Sequence, residues 1–280
     1  MKLGRVPTER PDAEINATRA GSGCNESFPS RSRLPHPGRT RDRPAPLGPF
    51  VNRFPSPVDD LCARFVQAQL AGDRREALRL VMDEGVGRGA PASEVTLRVL
   101  QAAQRKIGEL WQDNRISVAD EHLATAIAQV VLAHLYLLSP ASPLVDKIVL
   151  FGCVEGEHHD FPARLAADAL DLAGYDVRFL GADVPTESLV SMIRRERPDL
   201  VALSVTMSFN LRSLRMTVAR LRSDFGEALP ILVGGAACDT LANPAEELAA
   251  DGFARDAHDL VGIVGRLVSR PAPQALGGTP

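Results

Sequence analysis

The sequence predicts an α/β protein, a doubly wound five-stranded parallel sheet preceded by a four-helix bundle. Three observations lead there. From Lys147 onward, short β-rich apolar runs alternate with amphipathic helical stretches, as strands do when helices cover both faces of their sheet. From Pro57 to about Leu138 the apolar residues instead step by threes and fours. Between these two patterns, Ser139-Pro140-Ala141-Ser142-Pro143 reads as an interdomain linker. The expected division is an arm over 1–55, a helical cap over 56–139, a linker over 140–146, a sheet domain over 147–270 and a disordered tail over 271–280.

Each element has its own warrant. Leu61, Phe65, Val66 and Leu70 share one helical face, and Ala77, Leu78, Leu80 and Val81 resume it after Gly72-Asp73. The stretch from Gly85 to Pro91 breaks the pattern. A long helix then starts near Ser93 and carries Val95, Val99, Leu100, Ala103, Ile107 and Leu110 up to Trp111. Ser117 followed three residues later by Asp120 is a helix cap with its reciprocal acid, opening a helix to Leu138. The predicted strands are 148–153, 177–181, 200–205, 231–235 and the short 252–254. The helices between and after them fall near 163–173, 186–196, 211–225, 243–250 and 257–269. Five strands in so short a span is the size of a flavodoxin-like domain.

The bulk numbers narrow the function. The chain has 280 residues, of which 45% are apolar, and a net charge of −3, which gives no overall attraction to nucleic acid or acidic membranes. Cys24, Cys62, Cys153 and Cys238 are far apart with no CxxC pair, and Cys153 and Cys238 fall in apolar strand-like runs, which predicts buried thiols in a reducing, cytoplasmic setting. No run approaches 18 uninterrupted apolar residues, so no membrane span and no signal peptide is expected. Residues 1–55 hold nine prolines and ten Arg/Lys against five Asp/Glu, a composition that predicts disorder.

In open parallel sheets ligands bind at the carboxyl ends of the strands, which singles out the loops 154–162, 181–185, 204–210 and 234–240. The first reads Glu155-Gly156-Glu157-His158-His159-Asp160-Phe161-Pro162. A carboxylate at Glu157 can hold one ring nitrogen of His159 and make the other a better metal ligand. The second loop, Gly181-Ala182-Asp183-Val184-Pro185, turns into a helix. The third offers the hydroxyls of Ser204, Thr206 and Ser208. The fourth, Gly234-Gly235-Ala236-Ala237, is small enough for a flat ligand to lie against the backbone. Each signal is weak alone, and their order along one sheet edge is what makes them specific.

On these residues the chain resembles cobalamin-binding proteins of the methionine-synthase type, which pair a helical cap with a cobalamin-binding, Rossmann-like domain. The family's Asp/Glu-x-His-x-x-Gly loop is matched by Glu157 and His159, with Pro162 at the glycine position. Ser204 and Gly234-Gly235 match as well, and the resemblance spans roughly 57–270. It implies that His159 is the lower axial ligand of cobalt. The displaced nucleotide base would lie against Ser204 and the glycines, with Asp160 and Thr206 also in the cofactor site. Asn210 stands where methionine synthases have a hydroxyl that continues the His–carboxylate relay.

Trp111 followed after nine residues by Glu121-His122 resembles the signature of adenosylcobalamin-dependent light sensors of the MerR-repressor type. That resemblance implies Trp111 packed on the upper ligand, Glu121 on the ribose hydroxyls and His122 near the upper face of cobalt. In the best-studied type a histidine directly after the tryptophan takes the upper position after light. This chain has Gln112 there, which makes His122 the substitute.

The functional expectation is therefore a cobalamin-binding light sensor or signalling module using adenosylcobalamin, and not an enzyme. Its output would go through homo-oligomerisation (dimer or tetramer) or an unknown partner protein, without membrane association or direct DNA binding. Some relatives carry a bilin as second chromophore, and the Ala-rich cap is compatible with one. The alternative is a methyl-carrying corrinoid protein of a methyltransferase system.

Overall fold

A computed structural model describes residues 57–269. The expected arm over 1–55, the tail over 271–280 and Cys24 lie outside the described residues. The amino-terminal part is helical: α1 Pro57–Leu70, α2 Arg74–Arg79, α3 Ala92–Val95, α4 Ala102–Gln112 and α5 Val118–Leu138. A π-helical turn, Leu80–Gly85, and a short 3-10 turn carry α2 on to Arg88. A second π-helical turn, Thr96–Gln101, joins α3 to α4, so these run together as the single long helix the periodicity predicts. Phe65, Leu80, Leu100, Ile107, Ile127 and Leu135 fill the core between them.

The second half is the five-stranded sheet: β1 Ile148–Cys153, β2 Asp176–Phe179, β3 Leu200–Ser204, β4 Ile231–Gly234 and β5 Gly252–Ala254. All pairs are parallel, in the order β2-β1-β3-β4-β5, which is the flavodoxin order. Its helices are α6 Phe161–Leu172, α7 Thr186–Glu196, α8 Leu211–Phe225, α9 Pro244–Glu247 and α10 Ala257–Val268. Side chains alternate across the strands, as the pleat requires. Leu150, Val201, Leu203 and Ile231 pack with α7 and α8, and Val149, Phe151, Leu200 and Leu232 with α6 and α10.

Two predicted boundaries need correction. The helix expected over 243–250 is only Pro244–Glu247. Ala249 takes a left-handed φ of 52°, and the chain must turn there so that the Asp251 carboxylate can accept from the Ile231 N–H and the Arg222 guanidinium. The break expected from Gly85 begins later, because helical turns continue to Arg88 before Gly89 turns the chain with φ 94°.

α6 sets the geometry of the site. Ala163, Ala167 and Leu170 face the sheet, whereas Phe161 and Leu165, in its first turns, belong to the core of the helical bundle. The loop that enters α6 is thereby held against the bundle. α5 is long and apolar enough to cross a membrane by length and composition, but its buried face supplies much of the bundle core.

Candidate functional site

The parallel register aligns Cys153, Ser204, Gly234 and Ala254 in one row across the carboxyl edge of the sheet. The order reverses between β1 and β3, so the loops after these two strands flank the switch point where such sheets bind ligands. Glu157 sits between them, fully buried. Its Oε1 accepts from the His159 backbone N–H (2.9 Å) and from His159 Nδ1 (2.7 Å). Its Oε2 accepts from the backbone N–H groups of Thr206 and Met207 (both 2.9 Å) and from Asn210 Nδ2 (3.1 Å). Five donors from two loops thus converge on one carboxylate.

The electrostatics follow from that shell. Burial pushes the Glu157 carboxyl up, but hydrogen bonds from His159, Met207 and Asn210 outweigh it and hold it down at about 2. The His159 imidazole is raised above its ordinary value by its hydrogen bond to Glu157, against the opposing effect of burial. With Nδ1 donating to the carboxylate, Nε2 carries the lone pair, and the side chain is 35% exposed. A carboxylate holding one ring nitrogen in this way fixes the orientation of the ring and makes the other nitrogen a better metal ligand.

Asn210 is the residue whose meaning the sequence concealed. Read as a lost hydroxyl, it instead supplies a donor to Glu157 and a second one to the Gly156 carbonyl (3.1 Å). Asp183 also acts without having been singled out. Its carboxylate accepts from the Gly156 N–H (2.7 Å), and its own N–H donates to the Glu157 carbonyl (2.9 Å), tying the 181–185 loop to the histidine loop. An Asp two residues before a helix-opening Pro was the signal available in the sequence, and the structure adds its left-handed φ of 50°.

The cap reaches the same place through its own local chemistry. α4 ends in a Schellman turn: Arg115 N–H donates to the Leu110 carbonyl, Asn114 N–H donates to the Trp111 carbonyl, and Asn114 is left-handed at φ 55°. Ser117 and Asp120 then form the predicted capping box. This short reversal puts Trp111 and Glu121 on one end of the bundle. The Trp111 ring lies 6.3 Å from the His159 ring, tilted by 40°. The Glu121 side chain is only 17% exposed, accepts from the Thr125 hydroxyl (2.9 Å) and adds its charge to the field that raises His159. His122 is 73% exposed and lies 3.6 Å from Glu121.

The remaining predicted residues divide. Ser204 is buried at the β3 end, and the buried Thr206 Oγ1 has no hydrogen-bond partner. Asp160 opens α6 without capping it through its side chain. At Gly235, with φ 96°, an added Cβ would sit 2.2 Å from the Val205 carbonyl oxygen, and at Gly234 one would meet the Ala254 carbonyl oxygen at 3.0 Å. The chain's own backbone fills the Cβ position of Gly235, so the fold requires that glycine whether or not a ligand lies beside it. Cys153 and Cys238 are buried as expected, and desolvation, with nearby carboxylates, pushes both thiols up to about 12.

Among the described residues no cluster of three or more His, Cys, Asp or Glu could hold a bare metal ion. A metal at His159 Nε2 therefore has to arrive with its other ligands, as the cobalt of a corrin does. A single oriented imidazole, a locked carboxylate behind it and an unpartnered buried hydroxyl at Thr206 fit that group.

Two family models, each described as a B12 binding domain, match residues 61–136 and 147–261. The chain belongs to the B12-binding proteins. It is 35% identical over 148 residues to the HTH-type transcriptional repressor CarH of Myxococcus xanthus, covering 52% of this chain and 48% of the repressor. The chain thus spans about half the length of that relative. It is 24% identical over 191 residues to dimethylamine corrinoid protein 1 of Methanosarcina acetivorans, covering 67% of this chain and 88% of that protein. The monomethylamine corrinoid protein of Methanosarcina barkeri has the same fold, with a TM-score of 0.62 at 18% identity over 75% of this chain and 99% of that one.

Proposed function

We propose that this B12-binding protein is an adenosylcobalamin-dependent light sensor whose output is a change of conformation or assembly rather than turnover. The observation that carries this reading is the convergence of Trp111 and Glu121 from the cap on His159. A corrin held only from below needs no aromatic and acidic pair above it. When bound, adenosylcobalamin supplies a cobalt–carbon bond weak enough for visible light to break. His159 Nε2 would hold cobalt, with Glu157 fixing the tautomer. Trp111 would cover the upper ligand and Glu121 would take the ribose hydroxyls. His122, exposed in the first turn of α5 beside Glu121, would be the candidate upper-face ligand after light.

The second reading, a methyl-carrying corrinoid protein with a methyltransferase partner, is favoured by the dimethylamine corrinoid relatives, which match more of the chain. Asn210 weighs against it. Its amide donates to Glu157, where a relay hydroxyl could both accept and pass on a proton.

The deciding measurement is the absorption spectrum of the protein with adenosylcobalamin before and after green light, beside its relative affinity for methylcobalamin. A light-dependent change of spectrum with a change of sedimentation supports the sensor. An unchanged spectrum and assembly, with preference for methylcobalamin, would sink it in favour of the methyl carrier.

A further inference from the structure

α5 is apolar on two sides. One carries Ala124, Ile127, Ala128, Val131 and Leu135, all buried in the bundle. The opposite side carries Leu123, Ala126, Val130, Ala133 and Leu137, spaced 3, 4, 3 and 4, the spacing of a helix-pairing seam. Within it Leu123 is 43% and Leu137 80% exposed, and Ala126 and Ala133 are exposed too. No Asp, Glu, Lys or Arg occurs from Leu123 to Leu138. Leu138, Leu144 and Val145 extend the exposed apolar surface. A contiguous patch of this kind on a folded protein marks an interface.

We propose that this face docks a second copy of the chain, α5 against α5 in antiparallel sense across a two-fold axis. Offset by three residues, the seam is complementary to itself under the rotation that relates two equal subunits. In antiparallel register Val130 opposes the second copy's Ala133, and Ala126 opposes its Leu137. These layers each set a large side chain against a small one, which lets the helices approach closely, and Leu123 lies beyond the paired stretch. Charge selects the direction. The first turn of α5 holds Asp120 and Glu121 and its last turn holds no charged residue, so a parallel pair would stack acid on acid, whereas an antiparallel pair separates them.

The same charges argue against a lipid surface, since helices that lie on membranes flank their apolar face with Lys and Arg. A single helix pair of this length buries less than the roughly 800 Å² per partner of a standard interface, so the expected dimer is a weak, reversible one. The proposal is independent of which upper ligand the cobalt carries.

Sedimentation velocity of the full chain across the micromolar range, without cobalamin and with adenosylcobalamin in the dark, tests it. The expected result is a monomer–dimer equilibrium that Ala126→Glu with Ala133→Glu weakens by at least about tenfold, while Gln129→Glu leaves it unchanged. Circular dichroism and the cobalamin spectrum check that the variants fold. Should the double variant not fold, cross-linking decides: Val130→Cys mixed with Ala133→Cys should form mixed disulfides in preference to either variant alone. A chain that stays monomeric in both states overturns the proposal and leaves the face to a different protein. So does a dimer indifferent to the glutamates, or cross-linking without that preference.

Discussion

At the scale of single residues, Glu157 and His159 behave as one unit. His159→Ala should convert the spectrum of bound cobalamin to the form without imidazole below cobalt. If the variant keeps the parent spectrum, His159 is not the axial ligand. The unit also dictates the response to pH. The folded-state value of His159 is raised by its bond to Glu157, so its contribution to stability is complete below the ordinary histidine range and disappears as pH rises through the raised value. Cobalt competes with that proton for Nε2, so imidazole ligation should fade as pH falls below that value, which a spectral titration reads directly. Glu157 is held at about 2 from an ordinary 4.5. Its stabilisation is therefore complete above that ordinary value and is lost only as pH falls toward 2, so the ligation change should precede acid unfolding.

At the scale of elements, most of the fold was legible because its signals were local. The 3.6-residue period, the Ser117 cap and the β-rich runs each act within a few residues, and the helices and strands appear within a residue or two of where they point. What the sequence hid was decided by distant partners. The short α9 ends where Asp251 must meet Arg222 and Ile231. The glycines at the end of β4, read as room for a ligand, also approach the backbone of Val205 and Ala254 closely. Gly235→Ala tests this. A positive φ together with a Cβ 2.2 Å from a backbone carbonyl oxygen should cost more than about 2 kcal/mol, seen as a lower urea midpoint in protein without any cobalamin. A variant of parental stability would mean the loop can relax and the glycine is not structurally required.

The site was legible to the same degree and for the same reason. The Glu-x-His spacing exposed the carboxylate–imidazole pair, because the two are neighbours in the chain. Asn210 lies 53 positions from Glu157, and only the parallel register of β1 and β3 reveals that its amide completes the shell.

At the scale of the whole molecule, bundle and sheet meet through few groups. Phe161 and Leu165 sit in the bundle core, Tyr136 donates to Asp171, and Trp111 rests by His159. Trp111→Ala should leave corrin affinity within a few-fold of the parent, because the lower-face residues are untouched, yet change the yield or rate of the light response. A large loss of affinity with an unaltered light response would assign the ring to binding alone.

Trp111 is also the sole tryptophan of the 280 residues, which gives its position a practical consequence. The indole emission of the native protein comes from one place, the gap between cap and histidine. A corrin absorbing in that gap would quench it by energy transfer, and any later separation of the two domains would restore part of it. The chain thus carries its own fluorescent gauge of cofactor loading and domain opening, readable in real time and without a label.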